Sequence, residues 1–131
     1  MKEYKNSSGQ YHRTDTPARE YDGTKEWWLD GKRHRTDGPA VEDSDGSKEW
    51  YINGQYHRED GPAVEGSDGS KVWYINGERH RTDGPAIEYA NGTKYWYLNG
   101  ERVYSDTMNN LSQYDVSESF KRSIIKYELA R

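Results

Sequence analysis

The chain of 131 residues contains no cysteine, a single phenylalanine and four prolines. Without cysteine, disulfides and cysteine-ligated zinc are excluded. The apolar fraction is 31%, and 13 glycines do not lift it to the usual 45–50%, so a large aliphatic core is excluded as well. No run approaches the ~20 apolar residues that cross a bilayer. The first ten residues, MKEYKNSSGQ, lack the apolar centre of a signal peptide, and a cytoplasmic location is expected. There is no surplus of one charge: the formal net charge is −4 with 32% charged residues of both signs interspersed, which argues against a nucleic-acid partner. The length suits one domain.

What the chain has instead is rings and a period. Five Trp and 12 Tyr carry most of the buriable area, since each ring can cover about 150–250 Å². All four histidines fall at one repeat position, 12, 34, 57 and 80, in steps of 22, 23 and 23. Trp27, Trp50, Trp73 and Trp96 keep the same step, as do Gly31, Gly54, Gly77 and Gly100. One copy reads WYINGQYHREDGPAVEGSDGSKV, residues 50–72. The first copy is loosest: Thr16 stands for the glycine of Asp-Gly-Pro, and one residue is missing before Asp22-Gly23. Lys2-Glu3-Tyr4 resembles half a copy, and after Asn99-Gly100 the pattern decays to Val103-Tyr104. Atypical end copies suit a stacked array.

Each copy predicts two strands. Asn53-Gly54 is the dipeptide of a type I′ hairpin, and Ser44-Asp45-Gly46-Ser47 marks a second turn. Between the turns, Asp60-Gly61-Pro62 interrupts what reads as one long strand bent at Gly-Pro. A two-residue loop at Asn53-Gly54 sets Ile52 opposite Gln55, Tyr51 opposite Tyr56, Trp50 opposite His57 and Glu49 opposite Arg58. The same rule pairs Glu26 with Arg35 and Tyr97 with Arg102. A β-solenoid with one coil per copy would stack like charges about 4.8 Å apart, so an antiparallel meander is preferred.

From Asn109 the glycine punctuation stops. Ser117 suits an N-cap, and Phe120, Ile124 and Tyr127 recur at helical spacing with Ile125 and Leu129 beside them. Residues 1–108 are thus read as the hairpin array and 109–131 as a helix that either caps the last hairpin or dimerises.

The Asn-Gly, two residues, then His, as in Asn76-Gly77-Glu78-Arg79-His80, and the later Glu88-Tyr89-Ala90-Asn91-Gly92-Thr93-Lys94, resemble the MORN repeat family over residues 2–104. That resemblance implies an elongated, twisted antiparallel meander of about four 23-residue hairpins, used for protein assembly and in some cases for lipid contact. The family usually follows this His with Gly, whereas Arg-Thr-Asp-Gly-Pro-Ala follows here. Arrays of HRxDGPA also resemble repeat proteins of tailed phages and large DNA viruses, which implies a viral inhibitor or adaptor acting on a host protein in the host cytoplasm. Asn91-Gly92-Thr93-Lys94-Tyr95-Trp96-Tyr97-Leu98-Asn99-Gly100 is similar to choline- and glucan-binding repeats, whose aromatic cages sit between copies.

For the histidines, a catalytic or metal reading would use His57 with Asp60 or His80 with Asp83. Four equal copies describe a lattice, and zinc needs three or four convergent ligands. No catalytic residue, metal or cofactor is expected, and Arg58 with Asp60 reads as a bridge between copies. Alternation puts the Trp/Ile row on one face as the core and leaves Trp28, Tyr51, Tyr74 and Tyr97 as an exposed ribbon. With Tyr56, Arg35, Arg58 and Arg81, that ribbon is the expected binding surface for a protein partner or for self-association into a homodimer. A noncatalytic interaction module is the leading reading. An aromatic-cage module for choline-like or glycan groups is the alternative.

Overall fold

The computed structural model describes residues 1–130; Arg131, the end of the expected tail segment, and the side chains of Asn109, Asn110 and Ser112 lie outside the described residues. The chain is mainly β. A ten-stranded antiparallel sheet takes its strands in sequence order from Lys2–Glu3 to Glu101–Val103 and skips three short hairpins: Trp28–Leu29 with Lys32–Arg33, Tyr51–Ile52 with Gln55–Tyr56, and Tyr74–Ile75 with Glu78–Arg79. Only antiparallel neighbours occur among the named strands, as expected for a meander.

The turns follow their sequences. Asn53, Asn76 and Asn99 take φ of 49°, 50° and 48°, and the glycines after them 81°, 80° and 82°, which is the double left-handed requirement of a type I′ loop. The second turn of a copy is longer. Gly46 N–H donates to the Asp43 carbonyl and Gly46 itself sits at φ 92°, a type I turn closed by a left-handed glycine. In the first copy one residue is missing there, and Asp22-Gly23 forms a two-residue I′ loop instead, at φ 48° and 83° with Tyr21 opposite Thr24. The irregular 22-residue step is thus a change of turn type.

The hairpin register is as expected as far as histidine. Tyr51 faces Tyr56, Ile52 faces Gln55, Tyr97 faces Arg102, and the His57 N–H donates to the Trp50 carbonyl at 3.1 Å. Beyond His57 the chain leaves its own hairpin, and the Arg58 N–H donates to the Tyr74 carbonyl of the next copy at 3.2 Å. Two expectations fall with that crossing. Glu49 lies opposite Val41 and Val64 rather than Arg58, and Glu26 meets Arg19 and Arg33 rather than Arg35. The segment read as one bent strand is two: Gln55–Tyr56 belongs to the hairpin and Val64–Glu65 to the main sheet.

Neighbouring hairpins are bonded edge to edge. The N–H groups of Gly54, Gly77 and Gly100 donate to the carbonyls of Arg33, Tyr56 and Arg79 at 2.8–2.9 Å. Each histidine adds a bond across the same junction, because the Nδ1 atoms of His12, His34, His57 and His80 accept from the N–H groups of Asp30, Asn53, Asn76 and Asn99 at 2.9–3.0 Å. At the N-terminus, what reads as half a copy is a further hairpin: the His12 N–H donates to the Tyr4 carbonyl at 3.0 Å, so Tyr4 holds the Trp position.

The last hairpin differs. Lys94–Leu98 runs unbroken through Trp96, with Val103 opposite the tryptophan where other copies place histidine. A 3₁₀ segment, Ser105–Gln113, leads to the helix Glu118–Leu129, whose Ser117 cap accepts from the Phe120 N–H. Phe120 and Ile124 pack with Trp96, Leu98, Val103 and Leu111 in one buried cluster, so the helix covers the last hairpin. It also takes up two free backbone donors: the Lys94 N–H bonds Tyr127 Oη at 2.8 Å and the Ser105 N–H bonds the Glu128 carboxylate.

Candidate functional site

HRxDGPA is a clamp around tryptophan. The guanidiniums of Arg35, Arg58 and Arg81 lie over the rings of Trp27, Trp50 and Trp73, each at 3.8 Å. Three acceptors hold the Arg58 plane flat: Asp60 on Nε at 3.1 Å, the Pro62 carbonyl on Nη1 at 3.1 Å and Glu65 at 3.6 Å. Arg35 and Arg81 repeat the set on Asp37, Pro39 and Glu42 and on Asp83, Pro85 and Glu88. The ion pairs therefore close within a copy, not between copies as the sequence suggested. The reason is the crossing after histidine, which turns the arginine side chain back over its own tryptophan.

This clamp also accounts for the glycine. A Cβ at Gly38, Gly61 or Gly84 would come within 2.8–2.9 Å of the arginine Cζ, so the guanidinium is sandwiched between a ring and bare backbone. Where Thr16 replaces that glycine, Asp15 takes φ 71° and Arg13 still covers Tyr4 at 3.7 Å. The alanine that ends the motif is buried without exposure at positions 18, 40, 63 and 86, and bonds Trp27, Trp50 and Trp73 through its carbonyl. Its recurrence in four copies was the signal in the sequence; its complete burial was not legible from a single residue type.

The tyrosine row is not an exposed ribbon. Tyr51 is 7% exposed, and Trp28, Tyr56, Tyr74 and Tyr97 are half-buried. Tyr51, Tyr56 and Tyr74 stack in series with centroids 4.5 and 4.8 Å apart, Trp28 tilts against Tyr11 at 5.4 Å, and Arg33 and Arg79 lie beside Trp28, Tyr51 and Tyr97 at 5.2–5.5 Å. A stack of three tyrosines is thus flanked by a guanidinium on each side, Arg33 beside Tyr51 and Arg79 beside Tyr97. Glu49 accepts from both the Tyr51 and Tyr56 hydroxyls, at 2.7 and 3.2 Å. Burial, then hydrogen bonding with Tyr56 and Glu49, raises the Tyr51 hydroxyl far above the ordinary tyrosine range, and burial raises Tyr56 too. One copy earlier Glu26, 2% exposed, takes Arg33 at 3.0 Å and Trp28 Nε1 at 3.4 Å. The break of the strand at tryptophan explains the burial: Tyr51 joins Trp27, Ala40 and Val41 in one cluster, while Trp50 and Trp73 stay half-buried.

The opposite side is open. Successive HRxDGP loops flank three clefts of about 250, 820 and 610 Å³, floored by Trp27, Leu29 and His34, by Trp50, Ile52 and His57, and by Trp73, Ile75 and His80. Of the eight residues expected to bind, Arg35, Arg58 and Arg81 line these clefts and the five rings belong to the other face. The aliphatic residue before Asn-Gly and the histidine were not among the eight; their periodicity carried the information. Burial lowers the His80 imidazole below its usual range, with Glu78 opposing. Among the described residues no group of three or more His, Asp or Glu could hold a metal ion, and no helix is long and apolar enough to cross a membrane.

No protein-family model matches the chain, and no curated protein and no solved structure matches it.

Proposed function

We propose that the protein is a noncatalytic interaction module that docks a segment of a protein partner across the row of clefts between its HRxDGP loops. The observation that supports this is the recurrence of one open cleft, with a tryptophan, an aliphatic residue and a histidine on its floor, at three successive copies. Subsites of like lining in a row let several weak contacts add through effective concentration. Assembly through a repeated face is also what the resemblance to MORN arrays implies, and the likeness to viral HRxDGPA arrays directs the search toward a host protein. The aromatic-cage reading meets an obstacle in the clamp: the faces on which a choline-like cation would sit already carry the chain's own guanidiniums.

The test is photo-crosslinked capture from the native cells with wild-type protein, with Ile52→Asp/Ile75→Asp, and with Tyr74→Phe. The cleft variant loses the captured partner with its far-UV circular dichroism unchanged, and Tyr74→Phe keeps it. Capture that survives in the cleft variant and fails in Tyr74→Phe moves the interface to the tyrosine face.

A further inference from the structure

We infer that the clefts take an extended, basic, polyproline-II-like segment that carries a lysine or arginine at every third residue; this rests on the cleft-docking reading above. Two independent observations lead there, one of charge and one of length.

The charge at the mouth of the clefts is sorted by depth. The arginines are sunk, 21–22% exposed, each lying on its ring and ringed by carboxylates. Asp37, Glu59, Asp60 and Asp83 stand at the rim, 82–86% exposed. An arriving chain meets carboxylates before the arginines: Asp37, Asp60 and Asp83 each give one oxygen to the arginine beneath, and Glu59 stands 3.5 Å from His57 Nε2. Rim charge of one sign selects a ligand of the other.

The length comes from the hydrogen bonds between hairpins. Because Gly54 and Gly77 bond directly to the preceding copy, successive clefts are two strands apart, or about 9.6 Å at ~4.8 Å per strand. Three residues of a polyproline II helix rise about 9.3 Å and return the side chain to the same face. Three residues of a β-strand cover nearly the same length, but alternation turns every other one of those side chains away. A basic residue at every third position of a polyproline II segment therefore enters each cleft in turn, with its aliphatic stem over Ile52 or Ile75 and its charge at the rim.

The probe is a fluorescent peptide of four Pro-Pro-Lys triplets, titrated into the full chain by anisotropy. Comparison peptides have the same composition with lysines alternately two and four residues apart, and four Pro-Pro-Glu triplets. The in-register peptide is expected to bind about tenfold tighter than the irregular one, since only it fills adjacent subsites together. The glutamate peptide is expected not to bind. Asp60→Asn weakens the in-register peptide severalfold, and Glu59→Gln, which leaves every arginine pair intact, does so with the fold untouched. Equal binding of the two lysine peptides overturns the spacing, and binding indifferent to both rim substitutions overturns the charge argument. If no peptide binds while Ile52→Asp/Ile75→Asp still abolishes partner capture, the docking reading stands and the basic polyproline ligand falls. If neither effect appears, both fall.

Discussion

Trp50 and Trp96 occupy the same repeat position and are covered in two different ways. Trp50 receives a guanidinium from its own copy and keeps part of its surface in an open cleft. Trp96 receives a helix and is 4% exposed. The difference begins one residue further along the hairpin. With His57 opposite, the chain crosses to the next copy and returns an arginine. With Val103 opposite, there is no next copy, the strand runs straight, and an apolar core forms with Leu98, Phe120 and Ile124. A repeat can therefore cover its aromatic ring with a charge and stay open, or with a helix and close. The interior copies are suited to contact, and the last one anchors the array.

The largest effect that would sharpen this contrast is at Phe120. Phe120→Ala is expected to cost about 3–5 kcal/mol in urea unfolding, the usual range for a buried aromatic. Trp50→Ala should cost clearly less, since half of its cover is a planar charge that can re-solvate. Equal losses would erase the distinction between the two kinds of cover. Next comes Gly61→Ala, which puts a methyl against the Arg58 Cζ and is expected to cost about 1–3 kcal/mol. In an Arg58→Ala background the same change should be nearly free, a coupling that a double-mutant cycle measures. If the cost persists without the guanidinium, the glycine answers to backbone geometry alone. Arg58→Lys is smaller, at about 0.5–2 kcal/mol for a lost flat stack. The exchange at exposed Arg122 on the helix should be near zero by the same unfolding measurement.

The smallest effect is one of pH. His80 Nδ1 accepts a bond from the Asn99 N–H and so must be unprotonated. Its folded value lies below the unfolded one because of burial, so its contribution is complete above about pH 6.5 and is lost as pH falls through the folded value. The urea midpoint should be level near pH 7 and decline on acidification, and His80→Gln should flatten that decline. No flattening would mean that the junction bond at Asn99 adds little to stability.

The hairpins and the meander were legible because Asn-Gly and Asp-Gly-Ser state their own backbone angles, and the helix because Ser117 and the Phe120, Ile124, Tyr127 spacing state theirs. The side on which each ring lies was not. Alternation assigns faces only along an unbroken strand, and at Trp27, Trp50 and Trp73 the ladder changes partner, so Tyr51 goes into a cluster and the clefts open elsewhere. The arginine was visible as a candidate, but its partner depended on where the chain goes after histidine, a matter of three-dimensional path. The two expected pairs with Glu49 and Glu26 failed for that one reason.

Asparagine-glycine is also where proteins age. The glycine nitrogen attacks the asparagine side-chain carbonyl carbon, ammonia leaves, and the resulting succinimide opens with water to aspartate or isoaspartate. At Asn53-Gly54, Asn76-Gly77 and Asn99-Gly100 the attacking nitrogen already donates its hydrogen to the carbonyl of the preceding copy, at 2.8–2.9 Å. That bond is expected to hold the reaction back, and separation of copies to release it. Isoaspartate at 53, 76 or 99, read by peptide mapping of aged protein, would then mark the junctions that have opened.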